Sequence, residues 1–299
     1  MVKRVGLVVN PTSGKNRGMV LGLEVAHRLR AAGHEVLDLS DESYAAARDR
    51  AMGAIAQGLD LLAVVGGDGM VHLGVNLVAL TPVPLAIIGA GTGNDVARGL
   101  GLPVHDPVRA ADIVTTGVPR TIDAISHTDS HGERRWYAGV LGAGFDSIVN
   151  ERANTWPWPH GQMRYNLAIL RELPLFRPIP YVVTVDGRRH ESRAMLVAVA
   201  NGPSYGGGMR VAPDASFDDG LVDVVILHEI STLEFLRVFP KVFTGAHVHH
   251  PAVEIIKGRQ VTLEADGIVA YADGERFAAL PLTLETVSGA VTVLVPPGT

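Results

Sequence analysis

The chain has 299 residues, 47% hydrophobic and only 19% charged, which is apolar material for one large or two ordinary domains and rules against a disordered chain. With 26 basic against 31 acidic side chains, the net charge of -5 argues against a protein held on nucleic acid or anionic lipid by bulk charge alone. There is no cysteine, so disulfides, thiolate catalysis and thiolate-ligated metals are excluded.

Residues 5–9 read as a first β-strand, because two basic residues and five strand-like positions before Asn10-Pro11 fall far short of a signal-peptide apolar core. Strand-like runs at 36–39, 61–65 and 85–88 follow. They alternate with helical stretches at 19–32, closing on Gly33, and at 43–57, opening on a Ser cap and closing on Gly58. This βα alternation predicts a parallel sheet covered on both faces, with ligands at the carboxyl ends of its strands.

Three loops stand at those ends. Asn10-Pro11-Thr12-Ser13-Gly14-Lys15 opens onto a helix and reads either as an anion-binding loop or as a plain turn. It is not a Walker A loop, since Val9 and Asn16 stand where that pattern needs Gly and Ser or Thr. Gly66-Gly67-Asp68-Gly69 lets backbone approach a ligand around one carboxylate, a tight turn being the alternative. Gly89-Ala90-Gly91-Thr92-Gly93-Asn94-Asp95 fails as a dinucleotide fingerprint, because Asn94 takes the last glycine position and the loop does not follow the first strand. It reads as a glycine-rich anion loop, with Asp95 as a helix cap the alternative.

After about Arg120 the pattern becomes strand-like at 181–185, 195–200, 221–227, 253–256 and 291–295. Turn dipeptides at Asp186-Gly187, Lys257-Gly258 and Asp273-Gly274 predict antiparallel hairpins. Helices are expected at 162–173 and, interrupted at Pro240, at 233–243. The longest apolar run, 194–200, has seven residues against the ~20 that span a bilayer, so the expectation is a soluble, cytoplasmic protein. The loop from Asn201 to Asp219 is dense in glycine and carboxylate and suits either a hard cation or plain solvation. His247, His249 and His250 lack helical metal-site spacing and read as surface or packing residues. Trp156-Pro157-Trp158-Pro159, with Leu173-Pro174-Leu175-Phe176, reads as a lipid-facing lip or as packing.

Taken jointly, N-P-T-S-G-K (10–15), G-G-D-G (66–69), I-G-A-G-T-G-N-D-V-A-R (88–98), G-A-G-F-D (142–146), N-G-P-S-Y-G-G-G (201–208), P-D-A-S-F-D-D-G-L-V-D (213–223) and D-G-E (273–275) form an ordered set. It resembles the diacylglycerol kinase catalytic-domain family of lipid kinases, which includes soluble bacterial diacylglycerol kinases and the sphingosine and ceramide kinases. The resemblance covers nearly the whole chain. It implies an NAD kinase-like α/β domain over 1–121, an antiparallel β-sandwich domain over 122–299, and ATP between them.

The resemblance further implies that Asn10, Pro11, Thr12, Ser13, Gly14, Ser40, Gly66, Gly67, Asp68, Gly69, Met70, Val71, His72 and Thr92 surround ATP. Asp273 would be the general base, Glu275 would help position nucleotide or magnesium water, and Asp68 and Asp95 would join Asp273 through ordered water and Mg2+. A second, structural Mg2+ would take Asp219 and the main-chain oxygens of Ser216 and Leu221. Phosphoryl transfer needs charge neutralisation and positioning more than covalent catalysis, which these residue types supply. Where the family usually has Thr or Ser, then Asn and Glu, this chain has Met70, His72 and Leu73. The expected activity is phosphorylation of a primary hydroxyl of diacylglycerol or a related lipid by a homodimer that visits the inner membrane face. The alternatives are an NAD kinase-like enzyme and a non-catalytic nucleotide- or lipid-binding regulator.

Overall fold

Strand β1 (Arg4–Val9) presents Val5 and Leu7 to one side and Val8 to the other, and all three are buried, so it needs cover on both faces. In the computed structural model, which describes residues 2–145, 147, 149, 171 and 177–298, β1 lies parallel between β2 (Glu35–Asp38) and β3 (Leu61–Gly66). Strand β4 (Leu85–Gly89) extends the parallel sheet beyond β3, with Leu62 opposite Leu85. The helices are α1 (Ser13–Ala31), α2 (Tyr44–Ala56), α3 (Asp68–Val78), α4 (Asp95–Gly99) and α5 (Pro107–Thr116).

Leu21, Val25 and Leu29 recur at helical spacing on α1 and pack with Ala110, Ala111 and Val114 of α5 over Val5, Leu7, Leu61 and Ala63. Each such fully buried aliphatic side chain contributes about 1.5–3 kcal/mol. On the opposite face Gly74 of α3 stands against Val64 and Leu85. Local signals set the helix starts: the Ser43 hydroxyl accepts from the Ala46 amide, and Asp106 accepts from Arg109 just before Pro107.

Antiparallel pairing builds the second unit. The remaining strands are β5 (Val118–Thr128), β6 (Arg134–Tyr137), β7 (Val140–Gly144), β8 (Ile179–Val185), β9 (Arg188–Ala200), β10 (Val222–His228), β11 (Val253–Gly258), β12 (Gln260–Glu264), β13 (Val269–Ala272), β14 (Glu275–Ala279) and β15 (Leu282–Val295), of which β5 and β15 each run from one unit into the other. The long β9 is the hub: residues 188–194 pair with β8, while 196–200 pair with both β7 and β10. Inward-facing Leu141, Val183, Val197, Val224, Val261 and Ala270 form its core, as a β-sandwich requires.

The two compact units comprise residues 1–124 with 287–299, and residues 125–286. The division expected at 121/122 therefore misplaces the chain's end: Val293 of β15 pairs in parallel with Leu85, and the Asp123 carboxylate accepts the Gly289 amide at 2.8 Å. Asp186-Gly187 and Asp273-Gly274 are two-residue hairpins with positive φ at both central residues, the primed turns that match strand twist. Lys257-Gly258, expected as a third, is instead the end of β11, which pairs with β10; its glycine is required by the close approach of the Val185 side chain. The second helical candidate is α6 (Thr232–Val238), which gives way to 3-10 turns around Pro240, where the ring removes a helical donor. The expected helix 162–173, Asp146 and the Trp156–Phe176 motifs lie outside the described residues.

Candidate active site

In the first unit three loops meet at the ends of β1, β3 and β4. The Asn10 amide donates to Val65 O at 2.9 Å, and Gly66 O accepts from Ala90 and Gly91 at 2.8 and 3.2 Å. Gly67 and Gly91 come so close that a Cβ on Gly91 would collide with the Gly67 Cα, and one on Gly14 would collide with the Ala90 carbonyl. The Asn94 side chain closes the third loop on itself, accepting the Gly91 amide at 2.8 Å and donating to Gly91 O at 2.7 Å. The result is a surface of bare backbone on which a ligand's anionic groups can sit.

The first loop departs from the expected simple helix start. Gly14, Lys15 and Asn16 all have left-handed backbone, so α1 becomes regular only after them. Such conformations cost about 1–3 kcal/mol each for non-glycine residues and cluster at ligand clamps. Asn10 Oδ1 braces the loop by accepting from the amide and hydroxyl of Thr12. Ser40 joins it, its hydroxyl accepting the Val9 amide at 3.0 Å, and Ser40 and Pro11 line one groove of ≈ 390 Å³ with Met19, Leu23 and Asp41. Thr92 is exposed at the third loop.

Asp68 and Asp95 begin the neighbouring helices α3 and α4, and Asp68 Oδ1 accepts the Val96 amide at 3.3 Å. Two carboxylates among side-chain-free glycines are a hard-oxygen donor set that fits Mg2+. Gly67, Asp68 and Gly69 retain surface, whereas Met70, Val71 and His72 are buried in α3. Met70 folds back over Gly66, and Leu73 enters the core.

In the second unit Asp273 occupies the first turn position of the β13–β14 hairpin at φ 51° with its side chain buried. Three successive amides converge on its carboxylate: Gly139 at 3.0 Å and Val140 at 3.3 Å on Oδ1, Ala138 at 3.3 Å on Oδ2. Asn201 holds that amide segment in turn, its backbone bonding Gly139 O and its side chain Ala138 O, both at 2.9 Å. Burial first, then the charge of Asp273, pushes the Tyr137 phenol well above its ordinary value, so it stays neutral and donates to Val199 O. Glu275, two residues on, is exposed at the start of β14. The roles of Asn201 and of the 137–140 segment were missed from the sequence, because neither lies near Asp273 in the chain.

In the loop after Asn201 the glycines shape the wall of a pocket. Gly206, Gly207 and Gly208 make a tight left-handed connection that bonds Tyr205 to Met209 and turns both into the wall of an apolar pocket. Phe145, Leu196, Phe235 and Val242 complete that wall. His247 also faces it, donating from Nε2 to Val211 O, while His250 pairs with Glu234 and His249 is exposed, a mix of packing and surface positions. Asp219 accepts the Leu221 amide on one oxygen and the Lys257 ammonium on the other, and Ser216 bonds Asp218. Lys257 also bonds Asp223 at 3.0 Å. Burial opposes the ammonium, but these carboxylates outweigh it and raise the Lys257 pKa, while burial raises that of Asp223. Among the described residues no three His, Asp or Glu side chains form a metal-binding group.

Residues 4–127 match the diacylglycerol kinase catalytic domain, and residues 139–295 match the YegS C-terminal NAD kinase beta sandwich-like domain. The chain is 39% identical over 296 residues to a diacylglycerol kinase of Mycobacterium tuberculosis (strain ATCC 25618 / H37Rv), covering 99% of this chain and 96% of that protein. It is 31% identical to a diacylglycerol kinase of Bacillus subtilis (strain 168), covering 94% and 92%. By fold it is similar to a diacylglycerol kinase crystal structure from Bacillus anthracis str. Sterne (TM-score 0.72, 22% identity, 99% and 97% covered). It is also similar in fold to an NAD kinase from Archaeoglobus fulgidus in complex with ATP (TM-score 0.55, 14% identity, 98% and 94% covered).

Proposed function

Since the chain belongs to the diacylglycerol kinase catalytic-domain family, we propose that it transfers the γ-phosphate of ATP to a primary hydroxyl of diacylglycerol or a related lipid. The observation that carries this reading is the buried Asp273 carboxylate, on which the amides of residues 138–140 converge at the turn between β13 and β14. Asp273 is the general base: it takes the lipid hydroxyl's proton as the bond to phosphorus forms, because a carboxylate is too weak a base to remove it beforehand. The amides fix the rotamer and hence the direction from which the proton is accepted.

The nucleoside fits the groove shared by Pro11 and Ser40, and the phosphates fit the bare backbone around Gly14, Gly67 and Gly91. Asp68 and Asp95 would hold Mg2+, which neutralises charge on the transferring phosphoryl group. A lipid acceptor is favoured over a soluble one by the largely apolar lining of the pocket formed by Tyr205, Met209 and Phe235, which suits a hydrocarbon chain.

The test is to incubate the protein with radiolabelled ATP, Mg2+ and mixed micelles of diacylglycerol, phosphatidylglycerol or a sphingoid base, with NAD in a parallel tube. Label in the organic phase is expected and names the lipid. Label only in NAD would replace this reading with a soluble-substrate kinase. No product despite ATP binding would favour a regulator, in line with Met70 and Leu73 at the first loop of α3.

A further inference from the structure

Residues 232–243 carry two apolar faces where a surface helix needs one. Phe235, Val238, Phe239 and Val242, at helical spacing, turn inward and line the apolar pocket. Leu233, Leu236 and Phe243 point the other way, exposed to 58%, 47% and 48%. Three exposed cations accompany them: Arg237 and Lys241 on the same segment, and Arg210, whose amide bonds Val242 O. Among the described residues none of the three has an ion-pair partner. The neighbouring carboxylate, Glu234, is turned to His250 at 3.3 Å.

The faces are connected. A ladder of phenyl rings runs from buried Phe145 to Phe235, Phe239 and exposed Phe243, with centroid separations of 5.4, 5.6 and 6.2 Å. An apolar track thus leads from the pocket to the exposed patch, whose segment carries exposed cations.

We propose that this outer face docks on an anionic phospholipid bilayer. Leu233, Leu236 and Phe243 enter the interface, and Arg210, Arg237 and Lys241 meet the headgroup phosphates. The inference rests on the lipid-kinase reading above. A bilayer accounts for the three features together: exposed apolar side chains, cations without an ion pair among the described residues, and a phenyl-lined route into the pocket. The chain's net negative charge makes the local arrangement of these cations decisive.

The experiment is flotation of the full chain with phosphatidylglycerol/phosphatidylcholine vesicles and with phosphatidylcholine vesicles alone. Wild type is compared with Leu233→Ser/Leu236→Ser and Arg237→Gln/Lys241→Gln. Turnover of a water-soluble short-chain diacylglycerol, melting temperature and oligomeric state are measured on each. Wild type is expected to float with anionic vesicles. The serine variant should lose about tenfold or more in binding, and the glutamine variant about fivefold per cation on anionic vesicles only. Both change exposed positions and should keep their melting temperature and short-chain turnover. Variants that float like wild type overturn the proposal. So does a serine variant that changes oligomeric state while still binding vesicles, which would make the patch a subunit interface. If flotation behaves as expected but no lipid is phosphorylated, the docking surface stands and the kinase reading fails. Phosphorylation with unaltered flotation sinks the surface alone.

Discussion

The Asn201 side chain donates to the Ala138 carbonyl at 2.9 Å from a fully buried position, while the amides of Ala138 and its two successors point at Asp273. Asn201 is therefore a positioning residue for the proposed base. Replacing it with Ala leaves the Ala138 carbonyl without this donor and frees the segment to rotate. We expect a stability loss of about 1–3 kcal/mol and a fall in kcat of about tenfold or more, with KM for ATP unchanged. An unaltered kcat in a destabilised Asn201→Ala protein would make the bond structural only. Asp273→Asn should abolish turnover while ATP binding persists. It should also lower the melting temperature, because at least one backbone donor then loses a carboxylate oxygen.

The contact of Gly67 with Gly91 makes a second prediction. Gly91→Ala places a methyl against the Gly67 backbone, which cannot yield as a side-chain tip could. Overpacking of this kind costs about 1–3 kcal/mol, and moving the loops apart should weaken ATP binding as well. Gly53→Ala is the control: it lies inside α2 with nothing within 4 Å of the added methyl and should stabilise by roughly 0.5–1 kcal/mol. Calorimetry of ATP binding to both variants would decide it, and equal affinities would remove the first-unit loops from the nucleotide site.

What the chain shows before folding is what local chemistry controls. The first four strands, the Ser43 cap and the Asp186-Gly187 turn follow from period and turn preference. What stays hidden is pairing at a distance. Lys257-Gly258 has the composition of a turn, yet Lys257 faces Asp223 across β10 and β11, so the ladder continues through it. The last strand reads as apolar alternation anywhere, and only its register with Leu85 assigns it to the first unit. Asp273-Gly274 is a hairpin by local rules and a candidate base because distant amides converge on it. Local pattern predicts the first role, and only the family resemblance suggests the second.

Lys257 carries a third prediction. It bridges Asp219 and the nearly buried Asp223, tying the loop after Asp214 to β10 and β11. Lys257→Met should cost about 1 kcal/mol, the modest value set by the partial exposure of the ammonium. Because the ammonium already meets the Asp219 carboxylate, Mg2+ should raise the melting temperature of Lys257→Met by more than that of wild type. A wild-type melt that rises with Mg2+ while the variant's does not would contradict this assignment.

Protonation of His247 should weaken the fold in acid. Burial lowers its pKa from the ordinary 6.5, the bond to Val211 O opposing only in part. The geometry agrees: Nε2 donates to Val211 O, and buried Nδ1 has no acceptor among the described residues, so a second proton would bring unpaired charge into the pocket wall. As pH falls through 6.5 the unfolded chain takes up a proton that the folded chain resists, so the unfolded state binds more protons and stability drops. His34 and His105, lowered first by burial and then by neighbouring cations, act in the same direction. The melting temperature should therefore fall between about pH 7.5 and about pH 5.5. His247→Gln keeps a donor for Val211 but cannot titrate, so its fall should be smaller than that of wild type, with the remainder due to other groups such as His34 and His105. Calorimetric melts of both proteins at the two pH values check this, and equal slopes would show that His247 is not among the groups that destabilise the fold in acid.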